Sequence, residues 1–279
     1  MKTAAKFLNK SPEEIVNQYW RSFRIKQGFI ILILILYFVG SVWGIWWNNS
    51  RFLDVLFQML ILIILTFPIS VWISWDFMSL NAIMSQNCDP VTYSQVMRLL
   101  GKKRNRKRTA RTIQLNEAFG LMWAGQFSEA LALAESLAIS ESNTANQLNL
   151  LHIRFNCYLK LENQEAALQI QQEAKTLVSA ITKPALQKRG KEVLDLMADS
   201  IAMRQGNYET FRQEEDARAA KYRTNIQRVA SALNLAKADL AEGEPQNARN
   251  RLEYIIRSGG TLYTVKEARQ LLAELDGCV

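Results

Sequence analysis

The chain has 279 residues, of which 49% are hydrophobic and 22% charged, a balance that excludes a disordered or a fibrous protein. Its formal charge of +8 is unevenly placed: residues 1–111 hold 15 basic and 5 acidic side chains, and the remainder holds 19 and 21. A general attraction for polyanions is therefore excluded for the larger, C-terminal part.

The first element expected is a helix opened by Ser11, Pro12 and Glu14, which supply a serine cap, a proline at the first helical position and a glutamate able to reach back. Ile15, Val16, Tyr19, Trp20 and Phe23 fall on one face, with Arg21, Arg24 and Lys26 elsewhere. Residues 1–27 thus read as an amphipathic segment on the cytoplasmic side, lying in the membrane interface before the chain turns into the bilayer, or docked on the C-terminal domain.

Residues 28–47, GFIILILILYFVGSVWGIWW, carry no charge over a length that makes a helix of about 30 Å, the thickness of a bilayer's hydrocarbon core. Residues 55–75, VLFQMLILIILTFPISVWISW, repeat the pattern after the short stretch 48–54. The expectation is a transmembrane helical hairpin. Lysine and arginine crowd the segments before the first span and after the second, and the connecting loop has only Arg51. The positive-inside rule then puts both termini in the cytoplasm of a plasma or bacterial-type inner membrane, with 48–54 outside. Gly40 and Gly44 form G-x-x-x-G, which admits close approach of another helix. That helix is either the second span of the same hairpin or the first span of another copy, giving a homodimer.

Residues 76–108 read as a juxtamembrane helix and basic linker. The helix of the second span should continue to about Gln86, and Asp89 and Pro90 should start another. Its face of Tyr93, Val96, Met97 and Leu100 buries in lipid or in the domain beyond, with Gly101 as its stop. Then comes GKKRNRKRTAR, with positive charges at Lys102, Lys103, Arg104, Arg106, Lys107, Arg108 and Arg111. Beside a span such a cluster satisfies the topology rule and attracts anionic lipid, at about 1 kcal/mol per residue near the surface. It lacks the interleaved aromatics that stack bases, so nucleic acid is the weaker expectation.

Residues 109–279 are rich in Ala, Leu, Glu, Gln, Lys and Arg with apolar positions at helical spacing, so the fold class is all-α. A local pattern recurs as GQFSEAL from Gly125, ENQEAAL from Glu162, GNYETFR from Gly206 and GEPQNAR from Gly243. Each follows one expected helix and opens the next. These units resemble the tetratricopeptide repeat family, whose turn carries a glycine, an aromatic two residues later and a small residue three beyond that. Gly125, Phe127 and Ala130 match it. Glu162 and Gln164 replace the first two in the second unit, Phe211 takes the small position in the third, and Pro245 the aromatic position in the fourth.

The resemblance implies a cytoplasmic α-solenoid of about four helix pairs, with residues 261–275 as a capping helix. It also implies a concave face lined by Asn149, His152, Asn156 and Lys160 of the second unit, Ser200 and Arg204 of the third and Lys237 of the fourth. That face suits an acidic or carboxylate-ended partner segment.

The sequence holds no phosphate loop, dinucleotide fingerprint or nucleophile elbow, and its single histidine removes most schemes of acid-base catalysis. No catalytic residue, cofactor or metal is therefore expected. Cys88, Cys157 and Cys278 lack the spacing of a zinc site and suit a reducing compartment. The function expected is an integral membrane scaffold displaying a helical-repeat domain to a protein partner. Its alternatives are a membrane-tethered RNA or ribosome binder using the basic run, and an accessory subunit of a transporter or envelope enzyme.

Overall fold

Ser11 and Glu14 begin the first helix as the sequence suggests: the Ser11 main-chain N–H donates to the Glu14 carboxylate at 2.9 Å, and the Glu14 N–H donates to Ser11 Oγ at 3.3 Å. The computed structural model describes residues 7, 9–48, 60, 61, 63, 67, 71, 75–102, 107–138, 143–219 and 221–277. The chain divides into two compact units, Met1–Ala82 and Ile83–Val279. Every regular element among the described residues is helical.

In the first unit, helix α1 runs unbroken over Pro12–Asn48, 37 residues. The turn expected between the amphipathic segment and the apolar run is absent. Residues 21–28 hold no proline and no cap, and Gly28 sits in the helix with open space around it. One face of α1 follows Ile15, Tyr19, Ser22, Lys26, Ile30, Ile33 and Tyr37, at steps of three and four. Ile15, Tyr19 and Lys26 on it are buried, and the other four are half-buried.

Around the rest of the apolar stretch the side chains stand out. Phe29, Ile31, Leu32, Leu34, Ile35, Leu36, Phe38 and Val39 are 43–69% exposed. Pro12–Gly40 is long and apolar enough to cross a membrane. Of the second apolar run, Leu60, Ile61, Ile63, Phe67, Val71 and Trp75 are described, and all are helical and exposed; the loop expected at 48–54 lies outside the described residues after Asn48.

Helical structure continues over residues 75–85. Asp76 there accepts from Lys26 Nζ at 2.8 Å and from Ser22 Oγ at 2.6 Å. Both charged side chains are nearly excluded from solvent, and their pairing offsets part of the cost of burying them.

In the second unit, α2 (Pro90–Lys102) is capped by Asp89, whose carboxylate accepts from the Thr92 N–H at 3.1 Å. Tyr93, Val96, Met97 and Leu100 are buried, and the helix packs on α3 (Lys107–Trp123). Of the two environments open to that face, protein covers it. The helix passes through Gly101, which is no stop. Then follow α4 (Phe127–Ser136), α5 (Thr144–Lys160), α6 (Gln164–Ser179), α7 (Pro184–Arg204), α8 (Tyr208–Ala219), α9 (Asn225–Ala241), α10 (Pro245–Ser258) and α11 (Tyr263–Gly277). Each packs on the next, and α3, α5 and α7 also pack side by side in that order.

Four of the connections share one geometry. Gly125, Glu162, Gly206 and Gly243 are left-handed, with φ of 82°, 63°, 80° and 77°. After each, a main-chain N–H returns to the carbonyl five residues back: Gln126 to Leu121, Asn163 to Tyr158, Asn207 to Ala202 and Glu244 to Asp239, at 2.8–2.9 Å. This is the Schellman closure, in which a left-handed residue lets the last carbonyls of one helix be satisfied before the next begins. Five residues after each turn start, Ala130, Ala167, Phe211 and Ala248 are buried. Hence the recurring pattern marks a recurring turn and a recurring core position.

Glu162 holds a conformation that a side chain disfavours by about 1–2 kcal/mol. Its contact with Arg204, at 3.8 Å, is solvent-exposed. Glu162→Gly should therefore raise the unfolding free energy of the helical unit by about 0.5–1 kcal/mol, after the greater freedom of glycine in the unfolded chain is set against the relieved strain. Denaturant unfolding followed by circular dichroism checks this, and a destabilised variant would contradict it.

Candidate functional site

Lys160 closes α5 because the left-handed Glu162 ends the helix immediately after it. That position aims its ammonium group at α11. Lys160 Nζ donates to the Glu267 carboxylate at 3.2 Å and lies 4.9 Å from the centre of the Tyr263 ring. Lys237 of α9 donates to the same carboxylate. One carboxylate thus bridges ammonium groups from the second and fourth units. Lys160 and Glu267 are 107 residues apart in the chain, and Lys237 and Glu267 are 30 apart.

Aromatic rings wall this bridge. Tyr263 stands edge-on to Phe127, centroids 5.3 Å apart, and tilted against Trp123 at 6.1 Å. The approach requires Gly125, because a Cβ there would lie 2.9 Å from Tyr263 Cβ. Helix α11 therefore does more than cap the fourth unit: it touches the first unit through Tyr263 and the second through Glu267. Burial alone would raise the Glu267 pKa, but Lys237 and Lys160 outweigh it and hold the carboxyl below its ordinary value. Burial, with Lys237 and Arg204 nearby, lowers Lys160 despite its contact with Glu267.

The other positions of the expected concave face divide. Asn156 Nδ2 donates to the His152 carbonyl at 2.8 Å and lies 3.3 Å from His152 Nε2. The histidine's Nδ1 is buried without a partner among the described residues. Arg204 donates to the Leu159 carbonyl at the end of α5. Asn149 accepts from Arg189 at 2.8 Å, and Ser200 donates to its own helix at Leu196. So Lys160 and Lys237 converge on one acceptor, Asn156 and His152 pair beside each other, and Asn149 and Ser200 stay apart from them. The arrangement grips a carboxylate, and the one it grips belongs to the chain.

In the sequence Glu267 and Tyr263 stand out only as parts of a terminal helix. Nothing local marks them, since their partners come from remote turns. Among the described residues no group of three or more His, Cys, Asp or Glu side chains is placed to hold a metal. Cys88 and Cys157 are buried free thiols, and burial pushes them up to about 11 and about 12.

Of the basic run, Lys102 and Arg111 are exposed on α2 and α3. Lys103, Arg104 and Arg106 lie outside the described residues; Lys107 and Arg108 begin α3, and their side chains lie outside the description. A Cβ at Gly40 would meet no described atom within 4 Å. Gly44 belongs to α1, with surroundings outside the description. The chain matches no known family model, no curated protein and no solved structure.

His152 makes the unit sensitive to acid. Burial, and secondarily the Arg189 guanidinium, push its imidazole down to about 4. The unfolded chain takes up this proton near pH 6.5. Both states are neutral above that, and between about 6.5 and 4 only the unfolded state binds the proton, so stability falls as pH falls. The loss from pH 7 to 5 should be about 2 kcal/mol. It should shrink by most of that amount in His152→Gln, as measured by denaturant unfolding at the two pH values; an unchanged pH dependence would contradict the assignment.

Proposed function

We propose that this protein is an integral membrane scaffold. In this reading a two-span hairpin, with both termini in the cytoplasm, displays a tetratricopeptide-like helical solenoid that binds a protein partner. The observation that carries it is the surface of α1, where large apolar side chains are exposed on nearly every side. A core helix would bury them in protein, and an amphipathic surface helix would confine them to one stripe. Lipid is the environment that fits a helix apolar around its circumference.

The Lys26–Asp76 pair supports the hairpin. It joins Lys26, two residues before the first apolar run, to Asp76, the residue after the second, as expected of a chain that leaves along α1 and returns. The exposed Lys102 and Arg111 fit contact with anionic head groups. The four equivalent turns support the solenoid, since stacked helix pairs repeat one connection. The bridge at Glu267 supports a face suited to carboxylates.

Cysteine labelling tests the topology in intact cells, using a reagent that does not cross membranes. A cysteine introduced by Ser50→Cys should be labelled from outside and Cys278 should be protected until the membrane is opened. Labelling of Cys278 in intact cells would overturn the orientation.

A further inference from the structure

The third and fourth helix pairs do not close on each other as α3, α5 and α7 do. Between them Phe211 is buried where the other three units bury alanine, in one cluster with Met203 and Leu235. Beside it opens a cleft of about 530 Å³, bounded by the end of α8, by α9 and by α10. That volume lies in the usual range of ligand pockets, roughly 300–1,000 Å³. Each long wall is one helix face. Arg228, Ser231 and Leu235 come from α9, and Asn250, Arg251 and Tyr254 from α10.

The charge in the cleft is one-sided, for two arginines line it and no acidic residue does. Arg251 engages the buried Asp239 through its Nε, at 2.8 Å. Asp239 also takes Arg212 at 2.7 Å, and Arg212 takes Glu242 at 2.9 Å, so these two acids are balanced by Arg212 and Arg251. Arg228 is left over. Its one side-chain hydrogen bond among the described residues is a donation to the Tyr222 carbonyl at 3.4 Å. The terminal amino groups of Arg251 and the remaining N–H groups of Arg228 find no acceptor there. Both guanidinium groups line the cleft, Arg228 exposed and Arg251 half-buried, and their open donor edges suit a planar anion. Beneath them Leu235 and Ala232 are buried and apolar.

We propose that this cleft binds a peptide segment carrying a carboxylate next to an apolar side chain, as at a C-terminal leucine. The carboxylate lies between Arg228 and Arg251, and the apolar side chain lies on Ala232 and Leu235. One unbalanced positive charge fits a monoanion better than a phosphate. The inference rests on the reading of the helical unit as a partner-binding scaffold and names the chemistry of the partner.

The smallest probe with this chemistry is N-acetyl-leucine, and its amide is the uncharged control. Saturation-transfer NMR on the full chain in lipid nanodiscs should show saturable binding of the acid on the order of 1 mM, about the strength expected of one bidentate contact and one side chain. The amide should bind at least tenfold more weakly. Arg228→Gln should weaken the acid at least fivefold, whereas Lys188→Gln, an exposed site on α7, should leave it unchanged. Equal binding of acid and amide, binding unaltered by Arg228→Gln, or no saturable binding would each overturn the proposal. So would tighter binding of phosphoserine than of N-acetyl-leucine. The labelling of Ser50→Cys does not depend on this cleft, so a failure here removes the cleft and leaves the membrane reading to its own test.

Discussion

The constraint on which the molecule depends is that α1 must be kept from water. Eight large apolar side chains between Phe29 and Val39 project from a single helix in nearly all directions. Removing each from water is worth about 1.5–3 kcal/mol when complete, so the half-exposed set represents on the order of 10 kcal/mol that the protein's own packing does not recover. Monomeric soluble proteins rarely leave such a surface continuous. At the foot of this surface the same helix changes character: Lys26 and Asp76 form an ion pair nearly closed to solvent, and Ser22 donates to the same carboxylate. A charge buried there without its partner would cost several kcal/mol, which fixes where Asp76 meets α1.

The compact unit Ile83–Val279 is organised by a different device, one turn used four times. A left-handed residue ends the first helix, its neighbour's N–H closes the Schellman bond, and a small residue five positions after the turn start lets the pair pack. In the third unit the small residue becomes Phe211, which packs with Met203 and Leu235, and Leu235 also lines the arginine-bearing cleft. The closing interaction is of long range. Glu267 from α11 joins lysines of the second and fourth units, while Tyr263 enters the aromatic group of the first. The last helix thus holds three units through one carboxylate and one ring.

Much of this was legible in the sequence, because the signals are local. Ser11, Pro12 and Glu14 announced the capped start of α1, Asp89 and Pro90 that of α2, and the four turn motifs marked the helix pairs even where Glu162 stands for glycine. The apolar runs announced themselves by length alone. What was not legible depends on distance along the chain. Gly101 looks like a stop but is itself helical, with Lys102 as the last residue of α2. The positions aligned as a concave face include Lys160 and Lys237, yet only the fold shows that Glu267 already sits between them. Asn149 and Ser200, assigned by the same offset, instead bond Arg189 and their own helix. The cleft has no sequence signature, since its walls are ordinary helix faces whose meeting only the fold shows.

The central claim, that lipid surrounds α1, is tested most directly by spin labels placed singly at residues 29–39 of the full chain in liposomes. Collision rates with oxygen and with a polar nickel chelate report the surroundings of each label. The account expects high oxygen and low chelate accessibility at every exposed position from Phe29 to Val39, with oxygen accessibility lower only along Ile30, Ile33 and Tyr37. Chelate accessibility that rises and falls with the period of the helix, showing one face in water, would contradict it.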